Sequence, residues 1–434
     1  MISIFVVLVS LFVSNAFGSG PIAAPGTILS HREFPLTLFK NYKQSWLVEV
    51  ASEDTFGNYN VVPAVIIEPP NANASRLIAY QNPEDSANAT CAPSWLMENG
   101  TYSDTMVIDL LLRQGYYVLV TDYEGPKLTF LGGKQSGKAV LNGIRAALLS
   151  GDITGIKPDL DVILFGVSGG SFASGWAAVL QPTYAPEVKL LAAAVGGFLT
   201  NLTITLGGLD GGYFAGFIAT GLGGLEAEYP ELETYLKENT DSPRLSEFRQ
   251  YCVDTTLDKY RFAQFFQGPS KLFKKEWNSM GPDDTLKHIL AENSLTKYYD
   301  TPTIPFFVFH GTIDEIVPIT NAQQIYDKWC GSNITSLEFA EDLSAGHLTS
   351  GYFAAPATFS WIAKRFNGEQ PVAGCSHTRR LNNLLYPGTD KWIVQFVQDK
   401  FNEIFGGLGN GIKVDKPTAE DFQIYLNRTN GTGV

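Results

Sequence analysis

Apolar and polar positions alternate with a changing period along this chain. Residues 45–52 and 61–68 are apolar, β-rich stretches around Asp54-Thr55-Phe56-Gly57-Asn58, which predicts an antiparallel hairpin ended by Pro69-Pro70. Residues 76–81 read as a strand that runs into Asn82-Pro83-Glu84-Asp85-Ser86, a loop of turn formers. Residues 105–115 place Met106, Ile108, Leu111 and Leu112 at helical spacing, and 116–121 are β-rich again. A helical pattern over 134–149 precedes a short buried strand at 162–165, a second helical stretch to 179 and a strand at 190–195. Strands that alternate with helices predict the α/β class, with a mostly parallel sheet covered by helices on both faces.

Between residues 196 and 300 the alternation fails. Residues 206–225 are rich in glycine and aromatics, and helical patterns follow at 232–236 and 246–266. One reading is a structural insertion packed on the sheet. The other is a mobile apolar lid, which would suit a water-insoluble substrate. The sheet resumes at 304–309, followed by the loop His310-Gly311-Thr312-Ile313-Asp314-Glu315-Ile316-Val317-Pro318. A helix at 321–328 and a last short strand at 336–339 lead to the loop Ser344-Ala345-Gly346-His347-Leu348-Thr349. A second glycine patch, 406–411, precedes a polar tail, and no internal repeat is visible.

Composition narrows the compartment and the partners. The 434 residues are 44% hydrophobic, enough for a large core, and the net charge of −13 lacks the basic footprint that nucleic acid requires. Residues 2–13 are apolar and lead into Ser14-Asn15-Ala16-Phe17-Gly18, a signal-peptide pattern with cleavage near Ala16 or Gly18, although no Lys or Arg precedes it. The segment is short for a membrane span. The expected organisation is a signal peptide over 1–18 and one α/β domain over 19–434, with the insertion at about 199–300. A secreted, soluble monomer with no integral membrane span is expected. Sequons at Asn73, Asn88, Asn99, Asn201, Asn333, Asn427 and Asn430 are candidate glycan sites in the secretory pathway. Cys91, Cys252, Cys330 and Cys375 form no C-x-x-C pair or zinc-like cluster. In an oxidising compartment they predict two long-loop disulfides, with three connectivities open.

The chemistry centres on Gly166-Val167-Ser168-Gly169-Gly170, a G-x-S-x-G turn between a strand and a helix. The small flanking residues let strand and helix approach, and the helix N-terminus favours developing negative charge at Ser168. The motif alone is common, and a chance serine in a Gly-rich loop is its plain alternative. A nucleophilic serine needs a base, and the base needs an acid that fixes its tautomer. Of the five histidines, His31 is expected before the sheet, His288 in a polar helix and His377 in a loop. His310 ends a strand and could pack beneath the site. His347, in a loop after the last strand, follows Asp314 in the order serine, acid, histidine. Asp122 is a weaker candidate acid because it precedes Ser168. The amide of Gly169 and the loop around Asp85 are the candidate oxyanion donors.

These motifs resemble the secreted fungal lipases of the Candida type. The resemblance rests on Tyr80-Gln81 with Glu84-Asp85-Ser86, on Asp122-Tyr123-Glu124-Gly125-Pro126, and on the Gly166–Gly170 elbow. It also rests on His310-Gly311 with Asp314–Pro318, and on Gly346-His347-Leu348-Thr349, and it spans nearly the whole mature chain. Family members often carry Tyr where Val167 stands, a change that leaves the elbow geometry intact. The resemblance implies an α/β-hydrolase fold and a triacylglycerol lipase with Ser168 as nucleophile, His347 as base and Asp314 as acid. It implies an oxyanion hole at Asp85 and Gly169, a helical lid from the insertion, disulfides Cys91–Cys252 and Cys330–Cys375, and a flap at 406–411. No metal or organic cofactor is implied, and the partner is a lipid ester at an oil–water interface. Three rivals stay open: a carboxylesterase for short soluble esters, a peptidase of the same fold, and a catalytically silent, hydrolase-like binding protein at the cell surface.

Overall fold

The computed structural model describes residues 23–240, 247–298 and 300–405. The leader 1–18, the glycine patch 406–411 and the sequons Asn427 and Asn430 lie outside them. The described residues form a ten-stranded sheet. Its strands are β1 (Ile28–Glu33), β2 (Gln44–Glu53), β3 (Tyr59–Glu68), β4 (Arg76–Gln81), β5 (Tyr117–Thr121), β6 (Asp161–Val167), β7 (Leu190–Gly196), β8 (Phe306–Gly311), β9 (Ser336–Asp342) and β10 (Gly374–Arg380). The spatial order is β1-β2-β3-β5-β4-β6-β7-β8-β9-β10. β1, β2, β3 and β5 pair antiparallel. From β5 to β10 every pairing is parallel. This is the mostly parallel sheet that the alternating pattern predicts, in the α/β-hydrolase fold that the resemblance implies.

The central strands are continuous apolar runs because both of their faces are covered. Successive side chains point to opposite faces. Leu77 and Ala79 of β4, Val162 and Leu164 of β6, and Phe306 and Val308 of β8 enter one core. Ile78 and Tyr80, Ile163 and Phe165, and Phe307 and Phe309 enter the other. The first core is roofed by helices Gly133–Leu149 and Gly169–Tyr184, and the second by Thr105–Arg113 and His347–Phe366.

Three elements differ from the sequence expectation. His31 lies on β1 within the sheet rather than before it. The strand at 336–339 runs on to Asp342 and is not the last, because β10 pairs parallel with it and carries His377. Both missed strands are sheet edges with no fully buried residue and mostly polar side chains, so they carry no apolar signature. His347 is the first residue of helix His347–Phe366, not a loop residue.

The stretch between β7 and β8 forms helices Leu202–Leu209, Gly216–Glu228, Pro230–Asn239, Val253–Lys259 and Thr285–Glu292. Leu202, Leu206, Leu222 and Phe266 join the first core, so these helices share the sheet's packing. Cys91 is bonded to Cys252 and Cys330 to Cys375, the pairs that the resemblance implies. The first bond ties this stretch to the segment after β4, and the second ties helix Thr320–Gly331 to β10.

Candidate active site

The sheet order brings the site together. The chain leaves β4 for β5 on one side and returns to β6 on the other, so the loops after β4 and β6 emerge as neighbours at a topological switch point. Gln81 at the end of β4 lies in register with Gly166 near the end of β6. A Cβ on Gly170 would overlap the Gln81 carbonyl, and one on Gly166 would overlap the Gly170 carbonyl. Only glycine permits this approach of turn, helix and neighbouring strand. Ser168 caps helix Gly169–Tyr184 with φ 54° and ψ −123°, a conformation in which a residue with a side chain is strained. Its N–H is held by the Gly196 carbonyl at 2.9 Å.

β8 and β9 supply the other two groups. The Ser168 hydroxyl lies 2.9 Å from His347 Nε2. His347 Nδ1 lies 2.7 Å from Asp314 Oδ2 and 2.9 Å from Oδ1. Nδ1–H therefore donates to the carboxylate, which leaves Nε2 to accept the serine proton. All three side chains are buried. The Ile316 and Val317 amides also donate to Asp314 Oδ1, at 3.0 and 2.7 Å. His310, inside β8, accepts the Phe198 amide at Nδ1, so its Nε2–H faces the Val317 carbonyl at 2.9 Å and Asp314 Oδ2 at 3.2 Å. Burial opposes ionisation of Asp314, but the bonds from His310 and His347 outweigh it and hold the group below the usual carboxylate range. Burial likewise opposes a charge on His347, yet the bond it donates to Asp314 and the negative charges of Asp314, Asp85 and Glu315 raise it.

Asp85 sits in the loop after β4 at φ 51° and faces Gly169 so closely that a Cβ there would strike Asp85 Oδ1. Burial pushes the Asp85 carboxyl up to about 7, against the pull of His347. Phe130, Leu131, Leu199, Leu206 and Phe217 close around Ser168, Gly169 and Asp85 and leave a cavity of about 20 Å³. Among the described residues, no group of three or more His, Cys, Asp or Glu side chains could hold a metal ion, and no helix is long and apolar enough to cross a membrane.

The family model for secretory lipases matches residues 93–374. Lipase 5 of Candida albicans is 44% identical over 415 residues, covering 92% of this chain and 89% of that one. Lipase 4 of the same organism is 44% identical over 411 residues, covering 91% and 89%. Candida antarctica lipase A in its closed state superposes with a TM-score of 0.77 at 26% identity, covering 87% of this chain and 91% of that one. A second structure of that enzyme gives a TM-score of 0.79 at 25% identity, covering 91% and 94%. The chain belongs to the secretory lipase family. It is a lipase.

Two further residues of this secretory lipase support the histidine and the acid: Glu315, which sequence reading did not single out, and His310, which it expected to pack beneath the site. Glu315 accepts the His347 amide at 2.9 Å and anchors the start of its helix, where a negative charge is favoured. His310 serves Asp314 as described, a role visible in sequence only as a histidine ending a strand. Asp122 instead accepts the Ser94 amide at 2.9 Å. His288 lies in helix Thr285–Glu292, and His377 meets Glu341 at 2.7 Å.

The sequons differ in access. Asn99 and Asn333 are exposed, and Asn73 and Asn88 half-buried. Asn201 is buried, accepts the Ile204 amide as a helix cap and donates its Nδ2 to Gln324 at 2.9 Å.

Proposed function

We propose that this lipase is secreted and hydrolyses triacylglycerols through an acyl-enzyme formed on Ser168. The uninterrupted run of hydrogen bonds from Asp314 through His347 to Ser168 carries this reading. His347 takes the serine proton as Ser168 attacks the ester carbonyl, while Asp314 stabilises the imidazolium. Gly169 and Asp85 hold the oxyanion, the first through its amide at the helix start. His347 then returns the proton to the departing alcohol oxygen. Water, deprotonated by the same histidine, releases the fatty acid. The leader at 1–18 accounts for export, and the helices between β7 and β8 act as a lid.

The apolar walls at Ser168 favour a fatty acyl group, but their cavity of about 20 Å³ admits a long chain only if the lid shifts. A fixed lid would make this an esterase for short esters. The deciding test compares p-nitrophenyl esters from acetate to palmitate, plus emulsified triolein, for wild type and Ser168→Ala. Turnover of palmitate and triolein, abolished in a folded Ser168→Ala variant, is expected. Full activity in that variant would overturn the assignment, and activity on acetate and butyrate alone would replace the lipid substrate by short esters.

A further inference from the structure

A second, larger cavity of about 420 Å³ is lined by residues next to Ser168 and His347 in the chain. The cavity lined by Gly169, the residue after Ser168, contains Asp85 and the lid residues. The second is lined by Val167, the residue before Ser168, and by Leu348, the residue after His347. Its walls come from the other face of the sheet, through Phe165, Phe309 and helix His347–Phe366. Ser168 itself lines the first cavity, with Gly169 and Asp85, whereas the second reaches the catalytic pair through the neighbours Val167 and Leu348.

The larger cavity has the make-up of a ligand site. Its volume falls in the range of about 300–1,000 Å³ usual for such sites. Leu348 is 67% exposed at its rim, which opens it to the surface. Gly351 lines it with nothing within 4 Å of the position a Cβ would take. Tyr102 also lines it, and its hydroxyl is buried without a hydrogen-bond partner among the described residues. An orphaned hydroxyl in a mostly apolar wall is costly unless a ligand pairs with it.

Resting on the Ser168 lipase reading, we propose that this cavity is the alcohol-side subsite, which takes an acyl arm of the departing diacylglycerol. The hydrocarbon lies along Leu348, Val167 and Phe359, and an ester carbonyl of the arm accepts the Tyr102 hydroxyl proton. A substrate with a small alcohol leaves the cavity empty. The site thus favours glycerides over simple esters of the same fatty acid.

Triolein and methyl oleate place the same oleoyl group on Ser168 and differ only in the alcohol, so the ratio of their kcat/KM values in mixed detergent micelles reads this subsite. Gly351→Leu projects a side chain into the cavity from a helix that tolerates leucine. It is expected to lower the triolein to methyl oleate ratio about tenfold, the scale on which filling an apolar pocket acts. Tyr102→Phe removes only the hydroxyl and is expected to lower the ratio about fivefold, mainly through KM for triolein. A ratio unchanged in both variants would overturn the subsite, even if both esters are hydrolysed by wild type and neither by Ser168→Ala. Wild type that hydrolyses neither ester would overturn the lipase reading and the subsite with it.

Discussion

Two titratable groups facing each other across Ser168 set opposite limits on the pH at which this site works. His347 must be neutral to accept the serine proton, and its surroundings raise it above its ordinary value. The acid limb of kcat/KM should therefore lie above about 6.5, the usual histidine midpoint. Asp85, with its carboxyl pushed up to about 7 by burial, is neutral on the acid side and charged above it. A carboxylate there would repel the oxyanion, so activity should fall again as pH rises through about 7. Asp85→Asn keeps a neutral donor. It should abolish the alkaline fall and, by removing a negative charge near His347, move the acid limb to lower pH. The measurement is kcat/KM against pH for a soluble ester, and an alkaline fall that persists in Asp85→Asn would reject this role for Asp85. At this scale Ser168, Asp314 and His347 were legible because each follows a strand and stands in hydrolase order. His310 was legible only as a histidine that ends a strand and could pack beneath the site, and the hold of exposed Glu315 on the His347 amide was not, because a contact between residues far apart in the chain leaves no pattern in it.

The two disulfides do different work at the scale of elements. Cys330–Cys375 joins helix Thr320–Gly331 to the polar edge strand β10 across 45 residues. Cys91–Cys252, across 161 residues, fastens the segment after β4 to the inserted helices, beside the Val253 amide that donates to Ser86 at 3.0 Å. Loop-closure entropy gives each bond about 2–5 kcal/mol. Replacing Cys330 and Cys375 by serine should lower the melting temperature and leave kcat/KM nearly unchanged. Replacing Cys91 and Cys252 should lower both, because Ser86 adjoins Asp85 and the inserted helices are anchored there. Activity and thermal unfolding of the two double variants check this, and equal loss of kcat/KM in both would show that the first bond has no special tie to the site. The central strands could be read from apolar runs. β1 and β10 could not, since an edge strand is held by backbone pairing to a neighbour that composition does not reveal.

Across the whole molecule, buried carboxyls govern the response to pH. Burial, and for the two glutamates neighbouring acids as well, raises Glu84, Glu124, Asp104 and Asp122, the last two to about 6. A carboxyl raised on folding binds more protons in the native state, so stability is full below the unfolded pKa, near 4, and is lost as pH rises through the folded values. The net charge of −13 at neutral pH acts in the same direction, because self-repulsion grows as carboxyls ionise. The melting temperature should thus be several degrees higher at about pH 4.5 than at about pH 7.5, and a scan that rises across this range would reject the account. The sequence by itself determined the alternation of strands and helices, the elbow, the triad's order and the acidic balance, because these are properties of neighbouring residues. Only the tertiary structure decided which acids are buried together, which edges the sheet extends to, that Asn201 is enclosed, and that a second cavity forms beside Val167 and Leu348. Those features depend on residues far apart in the chain, and only packing of the sheet against its helices brings them within reach of one another.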